Sequence, residues 1–556
     1  MTTRWEAVRD ECQKRRSEAI PKQYLLPGKF LNTLPKDCST VVDKSGHFTE
    51  GERQIINASA TSILKNIASK TWTATEVTQA FCKSAAVAQQ LTNCLTEVFF
   101  DRALERAQFL DDYQAKHNKL VGPLHGLPIS VKDSFHVPPY PVSIGLSLYA
   151  TEPAKEEAPL ITAMREMGAI LYVKTNVPTG MSMCETINRI WGETQNPWGF
   201  SPGGSSGGEG ALVSMKGSPL GIGTDLGGSV RMPAGFCGLY GVKPTVHRLS
   251  MRGHRTSLPG VDMISATCGP VARSLDDIKL FMEIMTSYPK TLSLDHDVLP
   301  MPWRQEQATP QSGRKLRIGI IEETDGMVTI HPPVARALKE ARTALEAAGH
   351  EVFAWEPVRH KEMIQVFLQN AFYHVGTVLE MVLATGEPLY PATEYFKKAY
   401  EHEGAASAKL DAEKQRALTI LRNSVRTEFF DRWAATAVDG LPEMDAILTP
   451  IAAWAMPPLG AYQKANNFSF TIFANVMDAP ATVFPVTLAD KNKDPKRDNF
   501  VPIDEQDQLI QSMYDPQLYD GVPVCLQLVG KRFQEESLLA VTEVVDNVIK
   551  GSASAA

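Results

Sequence analysis

Apolar residues in this chain alternate between short continuous runs and helically spaced faces. Leu316-Arg-Ile-Gly-Ile-Ile321 reads as a strand, and Pro333 to Ala348 follows with helical spacing. Gly349 then supplies a stop and His350-Glu-Val-Phe353 reads as the next strand, so the stretch predicts a βα unit. A second run, Leu127 to Val131, follows the turn-rich Gly122-Pro-Leu-His-Gly126 and ends on a lysine, which places Lys132 at a strand end facing the interior. Ala211-Leu-Val213 and Leu239-Tyr-Gly-Val242 read as buried structure. Trp5 to Ser17 predicts a charged amphipathic helix, and Ile55, Ile56, Ile63, Leu64 and Ile67 predict one further amphipathic helix that carries Ser62 and Lys65 on its other side. Leu26 to Lys36, Ser287 to Gly313 and Asp490 to Asp498 are polar or proline-containing connections. On this pattern residues 1–70 form a helical preface packed on a main domain of residues 71–548, with residues 549–556 a disordered tail.

Composition changes that picture little. The 556 residues are 43% hydrophobic and 21% charged, an ordinary globular balance, and length alone suggests several domains. A net charge of −7 leaves no electrostatic footprint for nucleic acid. No run of about 18 apolar residues occurs, and Met1-Thr-Thr-Arg-Trp-Glu6 lacks the apolar core of a signal peptide, so a soluble cytoplasmic protein without a membrane partner is expected. Eight cysteines without a C-x-x-C pair fit a reducing compartment, and no cysteine or histidine spacing predicts a metal.

The candidate chemistry lies between Pro202 and Thr245. Two serine-bearing glycine clusters stand there, Gly203-Gly-Ser-Ser-Gly-Gly208 and Gly223-Thr-Asp-Leu-Gly-Gly-Ser229. Glycines beside a serine remove the Cβ atoms that would shield its hydroxyl and let the backbone approach a ligand closely. A serine hydroxyl needs a base, and a desolvated lysine such as Lys132 can serve, because burial disfavours its charged form. Gly203-Gly-Ser-Ser-Gly207 also satisfies a G-x-S-x-G nucleophile elbow formally, but Gln195 to Pro202 reads as loop where an elbow needs a strand. Gly221 to Leu226 fails G-x-G-x-x-G, and no P-loop segment occurs.

Taken with Lys132, the run from Gly203 to Thr245 resembles the signature segment of the amidase signature family. The likeness extends over roughly Thr71 to Val548, through Lys174-Thr-Asn-Val-Pro178, Asp445-Ala-Ile-Leu-Thr-Pro450 and Gly521-Val-Pro-Val-Cys-Leu-Gln-Leu-Val-Gly530. Leu91-Thr-Asn-Cys94 and the opening segment are most similar to fungal general amidases of the acetamidase type. The resemblance implies one large α/β domain, with a twisted mixed sheet sandwiched between helices. It further implies a triad of Ser229 as nucleophile, Ser205 as bridging serine after a cis peptide bond to Gly204, and Lys132 as base. Leu226, Gly227, Gly228 and Ser229 offer backbone N–H groups for an oxyanion hole, and Gly204, Ser206, Asp225 and Arg231 support the loops.

Met181, Ser182 and Met183 follow Lys174 to Pro178 where fatty-acid amide hydrolases line an acyl channel, and are the candidate substrate-binding residues. Cys184 sits near that pocket, with a buried packing role the blander reading, and His125 reads as structural. The expected reaction is hydrolysis of a small-molecule amide, aliphatic or aromatic, to the acid and ammonia or amine, with no cofactor and no metal. A homodimer is raised by the resemblance and established by no feature of the sequence. The alternatives are a fatty-acid amide hydrolase, the A subunit of a tRNA-dependent amidotransferase, and a catalytically silent scaffold; the presence of Lys132, Ser205 and Ser229 argues against the last.

Overall fold

A computed structural model describes residues 4–394, 411–438, 440–465 and 467–555. Thirteen strands occur among them: β1 Leu95–Val98, β2 Pro128–Lys132, β3 Ile170–Thr175, β4 Ile187–Asn188, β5 Gly192–Glu193, β6 Leu220–Asp225, β7 Tyr240–Lys243, β8 Thr267–Ala272, β9 Arg317–Ile320, β10 Glu351–Ala354, β11 Ala446–Pro450, β12 Ala481–Leu488 and β13 Pro523–Val529. Eleven form one sheet in the order β1-β3-β2-β6-β8-β7-β12-β13-β11-β9-β10, and β4 and β5 make a small separate ribbon. The sheet is mixed. β2 runs parallel to β3 and β6, β9 runs parallel to β10 and β11, and the remaining pairs are antiparallel. Helices flank it, as the α/β expectation requires.

The helices that matter below are α1 (Arg4–Glu18), α2 (Glu50–Asn57), α3 (Ala60–Ala68), α4 (Gly207–Ser214), α5 (Arg231–Phe236), α6 (Pro332–Ala347), α7 (His360–Thr385), α8 (Ser469–Val476) and α9 (Glu535–Ala555). The predicted βα unit is present as β9, α6 and parallel β10, with Gly349 in the left-handed region at φ +81° where the helix stops. α1 rests on the sheet edge: Arg15 pairs with the buried Glu97 at 2.7 Å, and Arg16 donates to the Leu95 carbonyl at 2.6 Å. Cys12 on the same helix packs with Ala150, Ile190 and Trp191.

Two expectations are corrected. The apolar positions from Ile55 to Ile67 belong to two helices, because Ala58 is extended and Ser59 caps α3 by accepting from the Ser62 amide. A serine that satisfies an orphan N–H starts a new helix more readily than it continues an old one. The tail expected to be disordered from residue 549 continues α9 as far as Ala555, since Gly551 is followed by serine and alanine and no helix breaker; Ala556 lies outside the described residues. Among the described residues, no helix is long and apolar enough to cross a membrane.

Candidate active site

The parallel strands β3, β2 and β6 end side by side, on Thr175, Lys132 and Asp225. Ligand sites of parallel sheets open beyond such carboxyl ends. Lys132 is fully buried, as expected from its place at a strand end. Its Nζ lies 2.6 Å from Ser205 Oγ and 2.8 Å from Thr224 Oγ1. Burial pushes its pKa down to about 7, and the nearby carboxyls of Asp225 and Glu209 only partly pull it back. The amine is therefore able to be neutral, and so to accept a proton, near neutral pH.

The two glycine clusters are stitched together at Ser206. Its N–H donates to the Ser229 carbonyl at 3.2 Å, and its Oγ accepts from the Thr224 amide at 3.2 Å. Gly223 makes that approach possible, because a Cβ there would lie 2.7 Å from Ser206 Oγ. The Gly204–Ser205 peptide is cis, and a Cβ on Gly204 would lie 2.7 Å from the Met183 carbonyl oxygen. The segment from Gln195 to Pro202 contains no strand, which removes the nucleophile-elbow reading.

Asp225 and Arg231 hold the second cluster from beneath. Arg231 Nε lies 3.0 Å from Asp225 Oδ2 with both side chains fully buried, and Asp225 also accepts from the amides of Gly228 at 2.8 Å and Val230 at 3.1 Å. From α8, Asn475 donates to Asp225 at 2.9 Å and accepts from Arg231 at 2.6 Å, while the Thr471 carbonyl accepts from Arg231 at 2.8 Å. Burial alone would raise the Asp225 pKa; the Arg231 guanidinium outweighs it and holds the carboxyl well below the usual range. This bracing corrects one expectation. The Gly228 N–H points into the loop at Asp225, so it does not join a row of four converging donors. Among the described residues nothing accepts from the amides of Leu226, Gly227 or Ser229.

Ser229 opens onto a cavity of about 110 Å³ lined mainly by apolar side chains. Met181, Ser182 and Met183 line it as anticipated, and so does Cys184. The remaining wall comes from far along the chain, from Phe367, Leu368 and Val378 on α7 and Phe468 just before α8. No periodicity in those helices marks them as pocket walls, and sequence reading missed them. It also gave no role to Thr224, Glu209 or Asn475. The first two stand inside the glycine-rich run, where the proximity of a strand three places away in the sheet carries no local signal. His125 is buried and accepts from the Val121 amide at 3.0 Å, in keeping with a structural role.

Comparison with known proteins agrees with this geometry. The family model described as Amidase matches residues 76–539. An acetamidase of Emericella nidulans is 36% identical over 564 residues, covering 99% of each chain, and an acetamidase of Aspergillus oryzae is 34% identical over 555 residues, covering 98% of this chain and 99% of the other. A solved fatty acid amide hydrolase superimposes with a TM-score of 0.91 at 29% identity, over 98% of this chain and 95% of its own. The chain belongs to the amidase signature family, and is an enzyme that hydrolyses carbon–nitrogen bonds of amides.

Proposed function

We propose that this enzyme cleaves small carboxylic amides through an acyl-enzyme on Ser229, with Ser205 and Lys132 as the proton relay. The observation that carries this reading is the buried Lys132 amine 2.6 Å from Ser205 Oγ, with a pKa near 7. Neutral Lys132 accepts the Ser205 proton while Ser205 takes the proton of Ser229, since a hydroxyl donates and accepts at once. Ser229 Oγ bonds to the amide carbon, and the carbonyl oxygen becomes an oxyanion facing the amides of Leu226, Gly227 and Ser229. Ser205 passes a proton to the departing nitrogen, the C–N bond breaks, and ammonia or an amine leaves. Water then attacks the ester on Ser229 by the same relay and releases the acid.

Substrate size follows from the cavity. An apolar cavity of about 150 Å³ admits a benzene ring, so one of about 110 Å³ favours short aliphatic acyl groups, the class named by the two acetamidase relatives. The name of the structural neighbour raises long acyl chains, which a cavity of this volume excludes unless Met181 or Met183 swings aside. A fluorophosphonate probe tests the assignment of the nucleophile. It is expected to label wild type and Ser205→Ala, more slowly in the latter, and to leave Ser229→Ala unlabelled. Labelling that persists in Ser229→Ala and disappears in Ser205→Ala would reverse the two roles.

A further inference from the structure

Beneath Lys132 lies a second buried carboxyl that the reaction as written does not use. Glu209 projects from the first turn of α4, the helix that begins just after Ser205 and Ser206, and is fully buried. Among the described residues its hydrogen-bond partners are two hydroxyls, Ser130 Oγ at 2.6 Å from Oε2 and Thr175 Oγ1 at 2.8 Å from Oε1. Both belong to the surroundings of Lys132. Ser130 is two residues back on β2, on the same face of the strand, and Thr175 on β3 is the residue paired with Lys132 across the ladder. The slot for the carboxyl is provided by β6: Gly221 pairs with Ser130, and a Cβ at Gly221 would lie 1.9 Å from Glu209 Oε2. Three strands thus close around one carboxyl.

We propose that Glu209 is a positioning residue, held as an uncharged acid, that pins the helix following Ser205 to the strands on either side of Lys132 without placing a counter-charge beside the amine. The inference rests on Lys132 acting as the base. Asp225, the other buried carboxyl near Lys132, has a guanidinium and several N–H donors, which favour the anion; Glu209 has neither, and hydroxyls serve an acid as well as they serve a carboxylate. As an acid, Glu209 donates to Ser130, which in turn faces the Leu220 carbonyl at 3.5 Å. The titratable groups facing Glu209 are Lys132 from β2, Tyr172 from β3 and Cys94 just ahead of β1. Burial pushes the thiol up to about 12 and the phenol well above its ordinary value, so both are neutral and Lys132 alone changes charge near neutrality. Burial likewise pushes Glu209 up to about 8, against the two hydroxyls and Lys132 that lower it.

Two measurements decide the matter. Infrared difference spectra of wild type against Glu209→Gln, taken at pH 7, are expected to show the carbonyl stretch of a protonated carboxylic acid in wild type alone. This readout needs no turnover, so it stands even if Ser229 is not the nucleophile. The pH profile of butyramide hydrolysis supplies the second. Glutamine copies the uncharged acid in shape, so Glu209→Gln is expected to keep kcat/KM within about threefold and the acid midpoint where it is in wild type. Glu209→Asp, shorter by one methylene, is expected to lower kcat at least about tenfold with KM unchanged, since small misplacements of reacting groups are costly. A carboxylate band in place of the acid band, together with an acid midpoint lowered by about one unit in Glu209→Gln, would overturn the proposal.

Discussion

At the scale of single residues, the reaction depends on the charge of one amine. Lys132 has its pKa lowered to about 7, so it is protonated and useless as a base below that pH and neutral above it. Activity is therefore expected to rise with pH through about 7, measured as kcat/KM for butyramide, and a flat profile from pH 5 to 9 would contradict the assignment. Lys132→Met, which keeps the length and loses the amine, is expected to abolish the rise together with the activity. The two glycines before Ser229 separate in the same way. Gly228 has φ +126°, and a Cβ there would lie 2.4 Å from Thr471 Oγ1, so Gly228→Ala displaces the loop and is expected to lower kcat about 100-fold. At Gly227 a Cβ would meet the Phe367 ring edge at 2.8 Å, inside the acyl cavity. Gly227→Ala is expected to narrow the cavity, raising KM for butyramide more than for acetamide.

At the scale of elements, what was legible in the sequence is what is local. The two glycine clusters, the strand ending on Lys132 and the β9-α6-β10 unit each announce themselves within a few residues, and each is found. The break at Ser59 was missed because apolar spacing alone does not distinguish a continuing helix from a capped new one. The direction of the Gly228 amide was missed because it depends on Asp225 being locked by Arg231, and that pair depends on α8 some 240 residues later. Asn475 on α8 ties both members of the buried pair, so Asn475→Ala leaves a carboxylate and a guanidinium each short of a partner. Chemical denaturation is expected to show a loss of about 2 to 3 kcal/mol. Activity is expected to fall as well, because the same loop carries Ser229.

At the scale of the whole molecule, specificity is assembled from parts that are distant in the chain. Met181 to Cys184 form one wall of the cavity, α7 a second, and the start of α8 a third. Phe367 fills the space opposite Gly227 and packs edge-on against Phe468, with ring centroids 5.9 Å apart. Phe367→Ala is expected to shift preference from acetamide and butyramide toward hexanamide and benzamide. Each added methylene that finds apolar contact contributes about 1 kcal/mol, so the ratio of kcat/KM for hexanamide over acetamide should rise at least tenfold; an unchanged ratio would remove Phe367 from the specificity wall. The strand order carries a different consequence. β13, the last strand of the sheet, is an interior one, seated between β12 and β11, and β11 in turn holds β9 and β10. While the nascent protein is on the ribosome, those three strands have no route to the half that contains Lys132 until Val529 has emerged. Completion of the sheet therefore waits for the end of translation, and a premature stop before Pro523 would leave two unjoined pieces with open β edges, a species prone to aggregate rather than a shortened enzyme.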